Sequence, residues 1–271
     1  MTNAEDHTSP TSPASPASPA SPDASLAISG GWTVVDQIDS VGALHGTAIP
    51  EAVSREVWFM VPTAPALVLG SSQSNDEVDS GAMRDAGLEL AKRRSGGGAV
   101  LVDASSLWVD LFIGRDDPLW DDDVGRAFGW VGELWLRTLR RLANETQAPP
   151  FDAGELQVHQ GVLERNEWNR RVCFASVGPG EVTLGGRKVV GISQRRTREA
   201  CRFQCSVLLE DRQRLVPSLL ALSADERTAA RGQVEASATG LGVSAVTVRR
   251  VLLAELDQAT PSGVAGVDSP S

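Results

Sequence analysis

Residues 92–98 read KRRSGGG and run straight into the apolar segment AVLVD. A glycine loses more backbone freedom on folding than any other residue, so consecutive glycines are kept where left-handed dihedrals are needed or where a ligand approaches bare backbone. A P-loop or dinucleotide fingerprint requires a helix directly after the glycines, and AVLVD reads as a strand, so neither applies. Two readings remain. The backbone of Gly96, Gly97 and Gly98 cradles a phosphate or nucleotide, with Arg93 or Arg94 adding a fork of donors, or the run is a flexible turn beside surface arginines.

A second candidate is Lys188 in GGRKVVGISQRR. It sits two residues past the glycine pair and is followed by Val189 and Val190, so strand alternation allows either face. Among apolar neighbours its compact positive charge suits a developing oxyanion or a carboxylate; otherwise it is a solvated hairpin lysine. Cys173 begins a short apolar run after Arg170 and Arg171, which favour a thiolate, although a small buried hydrophobe fits the same pattern. Cys201 and Cys205 alternate with Phe203, Val207 and Leu209 and read as a core stripe. The three histidines, His7, His45 and His159, are scattered and form neither a zinc pattern nor a triad. No metal site is expected.

The elements that must position these groups follow from periodicity. Residues 64–73, 87–93, 99–103 and 107–114 read as short strands separated by turn residues. Asp121, Asp122 and Asp123 suit a helix N-terminus, and Val124, Phe128, Val131, Trp135, Leu139 and Leu142 recur at helical spacing. Further strands are expected over 156–164, 172–177, 181–196 and 200–209, with Gly185-Gly186 as a two-residue hairpin turn. Pro217 fits the first turn of a helix, Ser223 and Glu226 form a capping-box pattern, and VSAVTVRRVLLAEL is amphipathic. The expected fold class is α+β, with a mixed or antiparallel sheet flanked by helices.

The 271 residues carry a formal net charge of -10, which argues against a nucleic-acid surface. The acidic start MTNAEDHTSP leads into no apolar segment, and no run is long enough to span a membrane, so a cytoplasmic protein without membrane or nucleic-acid partners is expected. An odd cysteine count gives no disulfide framework. The repeated Ala-Ser-Pro units predict a disordered tail over residues 1–27, and residues 257–271 have the same character, leaving a folded domain over 28–256.

The segments ALVLGSSQ, KRRSGGGAVLVD and CFASVGPGEVTLGGRKVVGISQRRTR, in this order and at these separations, resemble the lipoate-protein ligase family, the biotin/lipoate A/B ligase catalytic domain, over most of residues 28–256. The resemblance implies an enzyme that uses ATP, with magnesium, to activate lipoate or octanoate as its adenylate. The acyl group would then go to a lysine of a lipoyl-carrier domain or a glycine-cleavage-type carrier protein. The family's Arg-Arg-x-Ser/Thr-Gly-Gly-Gly segment falls on Lys92 to Gly98, which implies adenylate contacts from Arg93, Ser95, Gly96, Gly97 and Gly98. The Gly-x-Lys-x-x-Gly-x-x-Gln segment places the essential lysine at Lys188, followed by Gly191 and Gln194.

Some proteins of the same fold are octanoyltransferases that pass the acyl group through a cysteine thioester. In one such group the cysteine opens a Cys-Phe segment before the lysine, a placement similar to Cys173-Phe174, 15 positions before Lys188. Those transferases often carry a larger residue at the third glycine, and this chain keeps Gly98. Relatives commonly have His-Asp after the glycine loop, where Val102-Asp103 stands, and His-Gly-Ser/Thr in the later strand, where Gln204-Cys205-Ser206 stands. These departures leave three readings open: ligase, Cys173-dependent transferase, and a non-catalytic acyl-adenylate-binding relative. Biotin is not separated from lipoate by these residues.

Overall fold

The computed structural model describes residues 26–27, 31–50, 53–146 and 149–258. The two expected tails lie outside these residues, except that Leu26–Ala27 form a strand and the last helix runs to Gln258. Eight strands form the main sheet in the order β1 (Leu26–Ala27), β2 (Trp32–Asp39), β3 (Arg55–Pro62), β7 (Ser106–Gly114), β11 (Ala200–Leu208), β10 (Arg187–Arg196), β9 (Val182–Leu184) and β8 (Leu156–Val158). Only β2 and β3 pair in parallel; every other neighbour pair of this sheet is antiparallel. A smaller sheet runs β5 (Glu89–Lys92), β4 (Ala66–Leu69), β6 (Val100–Val102). The mixed α+β architecture agrees with the sequence pattern.

Alternation along the strands sorts the side chains into layers. One face of the main sheet, with Val57, Phe59, Val109, Leu111, Cys201, Phe203, Cys205 and Val207, is covered by α3 (Phe128–Glu145) and α5 (Ala245–Gln258). The expected core stripe of Cys201 and Cys205 lies here. On the other face, Trp58, Met60, Trp108 and Phe112 meet Ala66, Val68, Val100 and Val102 of the small sheet. The outer side of that sheet, with Leu67, Leu69 and Leu101, packs under α4 (Ala224–Ser237). Burying each such side chain contributes about 1.5–3 kcal/mol, so these faces rather than helix propensity hold the layers together.

Four local expectations are corrected. The helix expected from Asp121 begins at Phe128, because Asp123 accepts hydrogen bonds from the backbone N–H groups of Gly125 (2.8 Å) and Arg126 (2.9 Å) and holds the segment as a turn. Val124 is accordingly exposed. The strand expected over 156–164 stops at Val158, because its partner β9 is only three residues long. The strand expected over 172–177 is a single 3-10 turn, Cys173–Ala175. Val172 makes one parallel bridge to Ala99, and the Ala175 N–H then turns back onto the Val172 carbonyl. Pro217 lies inside a 3-10 segment, Gln213–Leu219, instead of opening a helix. The Ser223–Glu226 capping box forms at the start of α4 as the sequence indicates.

The hairpin between β9 and β10 turns at Gly185 (φ 56°) and Gly186 (φ 79°), the paired left-handed conformations of a two-residue turn. Beyond it the register shifts: Lys188 pairs with Thr183, but Val190 pairs with Val182. Val189 is the extra residue of a β-bulge. Val189 and Val190 therefore both bury in the helical layer, while Lys188 joins Gly191 and Ser193 on the face toward the small sheet. The bulge settles which way the lysine points.

The glycine run has a backbone explanation. Gly97 has φ 96°, and a Cβ on Gly98 would lie 2.3 Å from the Val172 nitrogen. The bare backbone at Gly98 lets residues 171–173 dock alongside, where Ala99 N–H donates to the Arg171 carbonyl (2.9 Å) and Cys173 N–H to the Ala99 carbonyl (2.9 Å). Gly96, by contrast, is exposed and faces open space. No helix among the described residues is long and apolar enough to cross a membrane. Gly98→Ala is expected to destabilise the protein by about 1–3 kcal/mol through overpacking against Val172. Gly96→Ala should stay within about 0.5 kcal/mol of the native protein. Urea unfolding of both variants checks the pair, and equal effects would refute the docking account.

Candidate active site

A cavity of about 990 Å³ lies between the main sheet and the glycine loop with β6, at the upper end of the size of small-molecule sites. Its walls include Gly96, Gly97 and Gly98 of the loop, Val100 and Val102 of β6, Trp108 of β7, Gln204 and Ser206 of β11, and Lys188, Gly191 and Ser193 of β10. The segment 163–174 contributes the rim, with Arg165 and Arg170 exposed.

Lys188 is 2 % exposed and Glu181 6 %. The lysine Nζ donates to Glu181 Oε2 at 2.9 Å and to the Cys173 carbonyl at 3.0 Å, and it sits 4.7 Å from the centre of the Phe174 ring. Glu181 also accepts from the backbone N–H groups of Gly178 (2.7 Å) and Ile192 (3.1 Å). The carboxylate is thus fixed by main chain on two sides. An ammonium has three donors, so one N–H of Lys188 remains for an oxygen in the cavity. Glu181 lines the cavity too and was missed in the sequence; its only signal was a carboxylate opening the strand segment EVTL.

Cys173 is half-buried and lines the cavity, brought beside Lys188 through its own carbonyl. Arg171 turns away to pair with Glu226 at 3.3 Å. Burial pushes the thiols of both Cys201 and Cys205 up, which leaves them unreactive although Cys205 reaches the cavity wall.

Arg93 lines the cavity, yet its donors go mainly to the protein. Nε and Nη2 reach the Gly96 carbonyl (3.2 and 2.9 Å), Nη2 the Gly98 carbonyl (2.7 Å) and Nη1 the Val68 carbonyl (3.4 Å). The guanidinium holds the glycine loop in shape. Ser95 lies off the cavity, its hydroxyl 3.5 Å from Ser193 Oγ. Gln194 is on the opposite face of β10, its amide against Cys201 Sγ or, with the amide turned, against Val124 and Arg196. Gly96, Gly97, Gly98 and Gly191 line the cavity.

The structure also brings in His45, which the sequence scatter had set aside. It belongs to α1 (Val41–Gly46), lines the cavity, and stacks on Trp108 with centroids 4.2 Å apart. Gln204 Nε2 is 3.4 Å from His45 Nδ1. The helix is anchored by Arg202, which donates to the carbonyls of Leu44 (2.9 Å) and Thr47 (2.8 Å) and to Asp110 (2.6 Å). Asp110 in turn accepts from Trp108 Nε1 at 2.8 Å. Burial, then the positive charges of Arg93 and Arg202, push His45 down to about 3, so its ring is neutral.

The lipoyl protein ligase A/B catalytic domain family matches residues 45–256. Octanoyltransferase LipM of Clostridioides difficile is 25% identical over 189 residues, covering 66% of this chain and 66% of that protein. Octanoyltransferase LipM of Moorella thermoacetica is 31% identical over 143 residues, covering 51% and 47%. The chain thus spans just under two thirds of the first relative and less than half of the second. A bi-partite lipoate protein ligase solved from Thermoplasma acidophilum shares the fold, with a TM-score of 0.60, 18% identity, and coverage of 83% and 82%.

Two outcomes follow from the buried charges. Glu181→Gln leaves the Lys188 charge buried without its partner and is expected to cost on the order of 3–5 kcal/mol in urea unfolding, against under about 1 kcal/mol for an incidental pair. His45 has a folded pKa below its unfolded value, so the unfolded chain binds the extra proton as pH falls from about 6.5 toward 3, and stability is lost in that window. Between pH 7 and 5 the native protein should lose about 2 kcal/mol more than His45→Gln. Parallel pH dependences would refute the assignment.

Proposed function

The chain belongs to the lipoyl protein ligase A/B catalytic domain family, and on that premise we propose that it attaches a medium-chain acyl group, octanoyl or lipoyl, to a lysine of a carrier domain through a thioester on Cys173. One observation carries this reading: Cys173 lies on the cavity wall with its own carbonyl 3.0 Å from the Lys188 ammonium, so nucleophile and charge share one corner. The octanoyltransferase relatives support it.

In the first half-reaction the Cys173 sulfur attacks the carbonyl carbon of an acyl-carrier thioester. A carbon–sulfur bond forms, and the oxyanion develops where the free N–H of Lys188 stabilises it. Collapse breaks the bond to the carrier sulfur, and the proton lost from Cys173 ends on that departing thiol. In the second half-reaction the acceptor lysine amine attacks the enzyme thioester. The amide bond forms, the Cys173 carbon–sulfur bond breaks, and the amine proton returns to the cysteine. Glu181 touches neither reactant and acts by holding Lys188.

A second reading, activation of lipoate with ATP and magnesium, is favoured by retained Gly98 and by a cavity with more room than an acyl chain needs. The cations facing the nucleotide would then be Lys188 and the rim residues Arg165 and Arg170, since the Arg93 donors are engaged by the loop.

Intact mass after incubation with an octanoyl-carrier thioester separates these readings. A hydroxylamine-labile acyl adduct is expected on the native protein and none on Cys173→Ala, with acylation of Lys188→Ala slowed on the order of 100-fold or more. An unlabelled protein that instead holds an acyl-adenylate made from ATP and lipoate, dependent on Lys188, would overturn the thioester route. Binding without any transfer would point to a non-catalytic relative.

A further inference from the structure

We propose that Trp108 is the end wall of the acyl cavity and sets the longest chain the protein takes, a medium-chain group fitting between Lys188 and the indole and a longer one not. The inference rests on the acyl-transfer reading for what occupies the cavity, and it assigns the residue that limits the length of that substrate.

Three observations carry it. First, the cavity stops at Trp108. Strands β10, β11 and β7 follow one another in the main sheet and all contribute to its walls, whereas the next strands, β3 and β2, contribute no lining residue among the described residues. Past the indole the space is filled: Met60 of β3, the partner of Trp108, is 3 % exposed and shares a core cluster with Val41 and Leu44 of α1. Second, the indole is fixed. Its Nε1–H donates to Asp110 Oδ1 at 2.8 Å, Arg202 holds Asp110 at 2.6 Å, and the His45 ring lies against it with centroids 4.2 Å apart. Swinging aside would break a buried hydrogen bond and leave a carboxylate oxygen without that donor.

Third, the spacing suits a medium chain. Trp108 pairs with Ser206 and Ser206 with Gly191, which lies two strand steps beyond Lys188 once the bulge is taken out. Two strand spacings across and two steps along put the backbones of Lys188 and Trp108 about 12 Å apart. That span is of the order of a medium-chain acyl group whose carbonyl rests at Lys188. Val100 and Val102 of β6 line the same cavity and pack in the same cluster as the indole, so the path between is apolar.

Each methylene buried along this path strengthens binding by roughly fourfold. A chain that already reaches a fixed wall gains nothing from further carbons, because they overpack the end or fold back. Affinity should therefore climb with chain length and then fall.

The test uses the saturated acids from hexanoate to dodecanoate. Binding of the free acids is followed by calorimetry and acylation by intact mass with the matching carrier thioesters, for the full chain and for Trp108→Val. The native protein should bind octanoate about tenfold more tightly than hexanoate and lose affinity at dodecanoate. In Trp108→Val the affinity for dodecanoate relative to octanoate should rise on the order of 100-fold. A native affinity that keeps climbing through dodecanoate overturns the assignment, as does a cut-off left unmoved in the folded variant. Should Trp108→Val not fold, Trp108→Phe, which keeps a smaller ring, decides: its cut-off should move to a longer chain, and an unmoved one overturns the assignment. A cut-off in binding without acylation from any thioester sinks the transferase reading and leaves Trp108 in place, while acylation without a cut-off sinks only the Trp108 assignment. Neither binding nor acylation across the whole series overturns both.

Discussion

An ammonium group leaves water only if a counter-charge and hydrogen-bond acceptors go with it, and the cavity is organised around meeting that condition for Lys188. Glu181 supplies the charge, held by the backbone of Gly178 and Ile192, and the Cys173 carbonyl supplies the second acceptor. Each partner comes from a different piece of chain: the turn before β9, strand β10 and the 3-10 turn at 173–175. The same contacts that make the charge tolerable therefore gather the segments that border the cavity.

A second buried pair performs a comparable task at the far end of the same sheet face. Arg202 and Asp110 are 1 % and 0 % exposed, and the guanidinium spends its other donors on the end of α1. Both ion pairs lie on the face toward the small sheet, whereas the opposite face is filled with apolar side chains under α3 and α5. One face carries cohesion and the other carries charge held in place by hydrogen bonds. A polar site can be built in this way without placing its charges in the apolar layer, where unpaired polar groups are costly.

What was legible in the sequence was whatever neighbouring residues decide among themselves. The Gly185-Gly186 turn, the stripe from Cys201 to Leu209 and the Ser223–Glu226 capping box each depend on a few adjacent positions, and each formed as their pattern indicates. What was hidden depends on pairing at a distance. The face of Lys188 is set by a register shift against β9, which no periodicity within GGRKVVG reveals. Cys173 leaves its expected strand because Ala99 offers a single bridge. Arg93 turns inward because loop carbonyls close around it, and His45 reaches the cavity through Arg202, 157 positions away in the chain.

The bulge at Val189 also changes how differences between related chains are to be interpreted. In an ordinary strand, substitution is the usual mode of change and length is simply conserved by the sheet. Here the extra residue between Gly186 and Gly191 is absorbed by the bulge, so that Lys188 and Gly191 share a face although they are three positions apart. Val189 and Val190 can be exchanged for other apolar residues without moving the charge, and loss of either one would remove the bulge and leave the ammonium on the same face by plain alternation. For this segment, a one-residue gap therefore preserves the face of the lysine as an apolar substitution does.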